Sequence, residues 1–528
     1  MELIFFSTAF ICGFVVFQMK LPPLIGFLAA GFLLNAVGYQ STPLLEQLAS
    51  LGVTLLLFSI GLKLRVENLA KLHIFGPATL HIVISTLLFS GITLLLARFG
   101  LPLFLDLDLE TSLLIGFTFS FSSTVFAVKV LEQRGEMSSI HGKVAIGILV
   151  IQDIFAVIFL AISTGKIPNW WALLILVTLP LLRPVVYKIL DRSKHGELLP
   201  LFGFFFALFM GYQAFEFAGL KGDLGALIIG MILAPHEKAG ELAKSLLTFK
   251  DLMLVGFFLS IGLNAQFSPQ ALFAATVLVA ILPLKVSLYY LLTNAFKLRA
   301  RTSLLTAFTL SNYSEFGLIV CAIASANQWI SPQWLAVVAM AVSITFIFAS
   351  PLNAHSNEIY VRIENFLLKH ESSTRLPIEL PVVLNDTKIL IFGMGRIGTG
   401  AYETIAQHNP DHVTGVDINQ QSVEKHQKRG RNVISADATD PDFWQHINHS
   451  QVQVVMLAMP KHIQNISALE QLTASGYRGQ VSAIANYPDQ QQELEALGVH
   501  TTYNFYLEAG SGFADHVTEN LAENQAEN

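Results

Sequence analysis

The stretch TSLLIGFTFS at residues 111–120 recurs as TSLLTAFTLS at 302–311, an offset of 191. FSIGL at 58–62 recurs as LSIGL at 259–263, an offset of 201. Both pairs relate hydrophobic segments seven apart in the count below. A shift by an odd number of membrane spans reverses direction through the bilayer, so the two halves are expected to be inverted repeats around a site at the midplane.

Composition agrees with that plan. Of 528 residues 53% are hydrophobic, 13% are charged and 40 are Phe, with a mean hydropathy of +0.55, far too apolar for a chain that folds in water. A spanning helix takes about 20 apolar residues. Thirteen segments qualify: 3–19, 21–38, 44–62, 73–97, 111–131, 142–164, 169–190, 197–217, 221–235, 247–264, 270–293, 302–325 and 331–352. With the N-terminus outside, sixteen Lys and Arg fall in inner loops and three, Arg98, Lys166 and Lys221, in outer ones. The positive side is the cytoplasmic side, and an odd span count puts the C-terminus there as well. The first span lacks the basic lead of a signal peptide and is expected to be retained. A net charge of −6 without a basic stripe argues against nucleic acid as a partner. Cys12 and Cys321 lie in separate apolar segments and read as small hydrophobes.

Residues 353–385 turn polar and read as a helical linker followed by a loop. An α/β domain then fills 386–507, and 508–528 read as a disordered polar tail. The fold class is thus a membrane all-α inverted-repeat bundle, residues 1–352, followed by a soluble Rossmann-like domain.

Ionisable residues inside a span are costly and mark function. Asp153 lies mid-span in Ile148–Phe155 beside Gln152, a second candidate for the ion and proton site; Lys285 lies in the eleventh span and Glu315 in the twelfth. A buried carboxylate holds either a proton or a dehydrated monovalent cation, and competition between them at one site is exchange; Asp153 is the candidate cation ligand. Lys285 is a candidate member of the ion and proton site, able to release Asp153 when the cation arrives, or a structural ion-pair partner for it. Glu315 sits in the polar run Ser311–Asn312–Tyr313–Ser314–Glu315, which suggests a helix interrupted where it lines a cavity. The repeat-related run in span five holds Ser122, Ser123 and Thr124, hydroxyls able to cap freed backbone or supply ligand oxygens, or to serve only as small packing residues.

The soluble domain opens with Lys388–Ile389–Leu390–Ile391–Phe392–Gly393–Met394–Gly395–Arg396–Ile397–Gly398, a strand running into GxGxxG and a helix-forming stretch. Glycines there let backbone approach a phosphate at a helix N-terminus. Asp417, 19 residues after Gly398, suits ribose hydroxyls and repels a 2′-phosphate, favouring AMP-type or NAD(H)-type ligands over NADP. Asp437–Ala438–Thr439 follows the next strand and could reach an adenosine or simply cap a helix.

These residues resemble the Kef-type potassium:proton antiporters of the monovalent cation:proton antiporter-2 family over nearly the whole chain. The likeness is carried by LLLFSIGLKL at 55–64, Gln152–Asp153, VGFFLSIGL at 255–263, SEFG at 314–317, GMGRIG and DAT. The resemblance implies an elevator-like homodimer in a bacterial inner membrane that exchanges K+, or less readily Na+, for H+. Asp153 would be the carrier, and the soluble domain would regulate transport by binding nucleotide near Arg396 and Asp417. Asn465 matches a ligand-contacting position of the family. Two departures speak against the glutathione control of some members: lysines and neutral residues dominate 238–250, and Asp440 stands where a basic residue follows DAT. No carbonyl filter such as TVGYG supports a channel instead, and about 120 soluble residues leave little room for a dehydrogenase's substrate domain. Catalysis is not expected, and no ancillary subunit is identified.

Overall fold

The computed structural model of the chain describes every residue except 1, 20–22, 64–70, 138, 164–169, 194–195, 219–221, 265–267, 373, 380–383, 385, 441–442, 445–451 and 527–528. Two compact units result: residues 1–130 with 144–375, and residues 131–143 with 376–528.

The first unit is helical. In chain order it contains α1 (Glu2–Gln18), α2 (Pro23–Ala36), α3 (Pro43–Lys63), α4 (Leu72–Arg98), α5 (Leu109–Ser120) and α6 (Thr124–Arg134), whose last turn belongs to the other unit. Next come α7 (Ile140–Ser163), α8 (Trp170–Arg192), α9 (Leu198–Phe217, π-helical over Phe205–Gln213), α10 (Gly222–Leu233) and α11 (Ala239–Asn264). The unit closes with α12 (Pro269–Ala280), α13 (Leu282–Ala295), α14 (Ala300–Thr309), α15 (Glu315–Ala326), α16 (Gln333–Ala354) and α17 (Ser356–Leu368). Every hydrophobic segment read from the sequence coincides with a helix or a broken pair of helices. Among the described residues seven helices are long and apolar enough, by length and composition, to cross a membrane. Large apolar side chains such as Phe10, Leu87, Leu95 and Phe209 point outward, as a lipid-facing surface requires.

Three segments are interrupted, each for a local reason. Between α12 and α13 the break falls at Ile281, where Pro283 in the first turn of α13 offers no N–H to the preceding turn and crowds its carbonyl. Between α5 and α6, residues 121–123 are non-helical, with Phe121 extended; between α14 and α15, residues 310–314 are non-helical and Ser314 caps α15 by accepting Phe316 N at 3.0 Å. The two halves of the internal repeat are therefore broken at equivalent places, since Thr124 opens α6 and Glu315 opens α15 at the same offset of 191.

The other repeat pair is also alike in packing. A Cβ on Gly61 of α3 would lie 2.9 Å from Gly230 Cα in α10, and one on Gly262 of α11 would lie 2.7 Å from Gly31 Cα in α2. Only glycine permits backbones to cross that closely, and this close approach between helices is a membrane habit.

The second unit carries a six-stranded parallel sheet: β1 (Ile389–Phe392), β2 (Val413–Asp417), β3 (Val433–Ser435), β4 (Val454–Leu457), β5 (Gln480–Ala485) and β6 (Thr501–Asn504). Its order is β3-β2-β1-β4-β5-β6, so the topological switch lies between β1 and β4. Connecting helices are α18 (Arg396–His408), α19 (Gln420–Gln427), α20 (His462–Ala474) and α21 (Pro488–Ala496). Leu390, Phe392, Val455, Leu457 and Trp444 form part of the core on one face, which explains the continuous apolar strands. The polar tail expected to lack structure is instead the helix α22 (Phe505–Ala526), docked lightly on β6 and exposed along most of its described length.

Residues Leu131–Lys143 cluster with this unit. Gln464 Nε2 donates to Gly135 O at 2.6 Å, and Gly135 has φ +73° with Gln464 against it. Arg134 grips Glu136 in a fork, Nε to Oε2 and Nη2 to Oε1, each 2.8 Å, and His141 Nε2 lies 3.2 Å from the same carboxylate. Burial alone would raise the Glu136 carboxyl, but hydrogen bonding to and charge on His141, with the Arg134 guanidinium, outweigh it and hold it at about 2.

Candidate functional site

The two helix breaks meet in the core of the first unit, and several of the backbone groups freed there are taken up by side chains. Ser123 N donates to Asn312 Oδ1 at 2.6 Å, and Asn312 Nδ2 returns to Thr309 O at 3.1 Å. Ser122 N donates to Gln152 Oε1 at 3.0 Å, and Phe126 N to Ser123 Oγ at 3.1 Å. Interrupted helices survive in a low-dielectric core only if freed backbone is repaired in this way.

Lys285, fully buried on α13, donates from Nζ to Phe121 O at 2.6 Å and to Asn312 O at 3.0 Å. Those two carbonyls are 191 residues apart, the repeat offset: Phe121 caps the C-terminal end of α5, and Asn312 lies in the break that follows α14. One amino group thus ties the two breaks together. The Tyr313 ring lies 4.9 Å from Nζ. Among the described residues no ion pair joins Lys285 to Asp153, which corrects the pairing expected from sequence: carbonyls at a helix break carry no sequence signature and compete for the same cation.

The N-terminal poles receive the acids. Glu315 Oε1 is 3.4 Å from Val125 N at the start of α6, and its Oε2, though buried, has no hydrogen-bond partner among the described residues. Thr124 Oγ1 donates to Asp153 Oδ2 at 3.1 Å. Asp153 and Glu315 are each 1% exposed and within electrostatic range of one another. Two buried carboxylates with acceptor capacity in reserve can take up a proton or a dehydrated cation. Among the described residues no group of three or more His, Cys, Asp and Glu forms a tighter metal cage.

Of the other residues singled out in the sequence, Gln152, Ser122, Ser123 and Asn312 all reach the crossing, but as its scaffold. Gln152 spends its oxygen on Ser122 N and its Nε2 on Tyr289 OH at 2.7 Å. Ser122 Oγ donates to Leu310 O at 2.8 Å, leaving the Tyr289 phenol, 3.0 Å away, to donate to Ser122. Sequence reasoning missed Tyr289 and His81. Tyr289 follows Lys285 by four residues and so shares its helix face. His81 is an ionisable residue within an apolar span, a signal that was available.

In the second unit the Gly-rich turn leaves β1 at the switch point. Gly393 has φ +89°, and a Cβ there would approach Ala458 O to 2.7 Å, so the position demands glycine. A Cβ on Gly395 would meet nothing within 4 Å; Gly395 and Arg396 are exposed where α18 begins, leaving room for a phosphate, while Ile397 is half-buried and Gly398 packs against Gly393. Asp417 Oδ2 accepts from Met394 N at 3.1 Å and Oδ1 from Asn419 N at 2.8 Å, tying β2 to the turn. Asp437 Oδ1 accepts Thr439 N at 2.9 Å and Thr439 Oγ1 at 2.7 Å, the local turn that was the alternative to adenosine contact, with Ala438 and Thr439 buried. Asn465 is buried and bonded to Met459 N at 3.2 Å.

Comparison with known proteins places both units. Residues 389–504 match the TrkA-N domain. The chain is 25% identical over 535 residues to the glutathione-regulated potassium-efflux system protein KefC of Enterobacter sp. (strain 638), and 26% identical over 533 residues to that of Escherichia fergusonii, covering in each case 94% of this chain and 81% of the relative. Among solved structures, the sodium proton antiporter MjNhaP1 from Methanocaldococcus jannaschii aligns at 14% identity and TM-score 0.48, over 66% of this chain and 95% of that one. The NAD(P)-binding domain of an exopolyphosphatase-related protein from Archaeoglobus fulgidus aligns at 18% identity and TM-score 0.24, over 25% and 98%. Residues 6–354 match the transmembrane sodium/hydrogen exchanger family, and the chain, a multi-pass cation:proton antiporter with a TrkA-N domain behind its membrane unit, belongs to that family.

Proposed function

We propose that the chain exchanges K+ for H+ across a bacterial inner membrane, with its C-terminus in the cytoplasm, and that Asp153 carries cation and proton in turn. The observation that carries this reading is the pair of buried carboxylates, Asp153 and Glu315, at the N-terminal poles of the broken helices with oxygens unspent. Asp153 binds the ion; Thr124 and Glu315 supply further oxygens. Gln152, Ser122, Ser123 and Asn312 hold the crossing, and Lys285 keeps its charge between two carbonyls. A rigid crossing suits an elevator motion of a core against a dimer partner. The relatives' names favour K+ over Na+. Purified full-length protein in vesicles, challenged with K+, Na+, Li+ and Rb+ while internal pH is followed, decides between them; normal exchange in Asp153→Asn would overturn the assignment.

The TrkA-N domain is read as a regulatory site for an AMP-type or NAD(H)-type nucleotide. The fit rests on the open approach at Gly395 and on the exposed start of α18. Gly393, Gly395, Arg396 and Gly398 would hold the phosphate, and Asp417 the ribose. Asp440, buried beside the Asp437 turn, and the lysine-bearing segment 238–250 argue against glutathione as the regulator.

A further inference from the structure

His81 lies midway along α4, fully buried and outside the set of residues that would hold cation or proton. Ser85, one turn on, places Oγ 3.1 Å from its Nε2. The imidazole lies flat on the Tyr289 ring, with centroids 3.4 Å apart and planes inclined by 6°. Tyr289 is itself fully buried, and its hydroxyl ties Gln152, the neighbour of Asp153, to Ser122 in the first helix break. One ring therefore separates His81 from the scaffold of the carboxylate site.

An aromatic side chain has two torsions, so a phenol hydroxyl is only as well placed as its ring. Here the imidazole is the plate against which that ring rests. We propose that His81 is a positioning residue for ion exchange: stacked on Tyr289, it holds that ring in place, and through the phenol hydroxyl it holds Gln152 and Ser122 at the first helix break. The inference builds on the reading of Asp153 as carrier but assigns the positioning role to a residue apart from it.

The test is K+-driven proton flux in vesicles of the full-length protein, recorded over K+ concentration at one alkaline pH. His81→Ala removes the plate and is expected to raise the half-saturating K+ concentration about three- to tenfold. His81→Phe keeps a stacking ring and should restore half-saturation. Tyr289→Phe keeps the stack without the hydroxyl and should resemble His81→Ala. Parental half-saturation in both His81→Ala and Tyr289→Phe would overturn the positioning role, as would a His81→Phe variant no better than His81→Ala. Should His81→Ala fail to fold, the other two variants decide. Exchange persisting in Asp153→Asn would instead refute the carrier assignment, a separate failure.

Discussion

Asn312→Ala tests whether the helix crossing is held by its hydrogen bonds. The substitution deletes the acceptor 2.6 Å from Ser123 N and the donor 3.1 Å from Thr309 O, both fully buried, without touching either carboxylate. A buried donor left without a partner costs about 1–3 kcal/mol, and the stranded carbonyl adds to that unless water enters. At about 1.4 kcal/mol per factor of ten, the competent geometry would be depleted about five- to 150-fold. Two measurements on the same preparation are needed: the thermal midpoint of the purified protein, expected to fall, and cation-driven proton flux, expected to drop within that range with cation selectivity unchanged. Asn312→Asp preserves the acceptor for Ser123 N and should recover part of the thermal loss. If Asn312→Ala matched the parent in both midpoint and flux, the crossing would not depend on this bond, and the account of how the breaks are stabilised would fail.

Further outcomes are expected from the same geometry. Asp153→Asn should abolish exchange in protein that elutes and melts as folded, whereas Glu315→Gln should keep exchange but weaken apparent K+ affinity by about tenfold, as for loss of one charged ligand contact; equal effects of the two would contradict their division of roles. If Lys285 keeps the same protonation state through the cycle, one carboxylate moves one proton against one cation, so a membrane potential imposed at balanced gradients should drive no net K+ movement in vesicles. Calorimetry on the full chain should rank NADP below AMP and NAD, and Asp417→Ala should weaken binding of the latter two. Because Glu136 is held at about 2, below its ordinary value of 4.5, it contributes stability that is complete above about pH 4.5 and is lost as pH falls towards 2, on the order of a few kcal/mol. Glu136→Gln should flatten that acid limb of the melting curve, and an unchanged limb would remove the Arg134–Glu136–His141 cluster from the account.

How much of this was legible from sequence depended on whether the signal lay in side chains or in backbone. The repeat was readable because FSIGL and TSLL carry the glycines and small residues that the close crossings demand, and GMGRIG because a strand and a helix flank it. The breaks at 121–123 and 310–314 were readable as hydroxyl and amide runs in otherwise apolar spans. What could not be read was the partner of Lys285. A lysine and an aspartate in neighbouring spans suggest a pair, yet the carbonyls of Phe121 and Asn312 become acceptors only once both helices have broken. Gln152 looked like a ligand because it adjoins Asp153, but both ends of its amide are consumed by Ser122 and Tyr289. The tail at 508–528 has a composition that sustains either helix or coil, and the sequence carried no cue between them.

The bridge made by Lys285 also constrains how the protein can move. Its amino group is fastened to one carbonyl from each of the two repeat-related breaks, and it has no counterpart at the positions 201 and 191 residues earlier, which are Ile84 and Leu94. Any displacement that parts one broken helix from the other tears a buried cation from an acceptor, whereas a displacement that carries the two together leaves both bonds intact. The single lysine acts as a rivet through a pseudo-symmetric joint: parting the two breaks costs both bonds, and moving them as one piece costs neither.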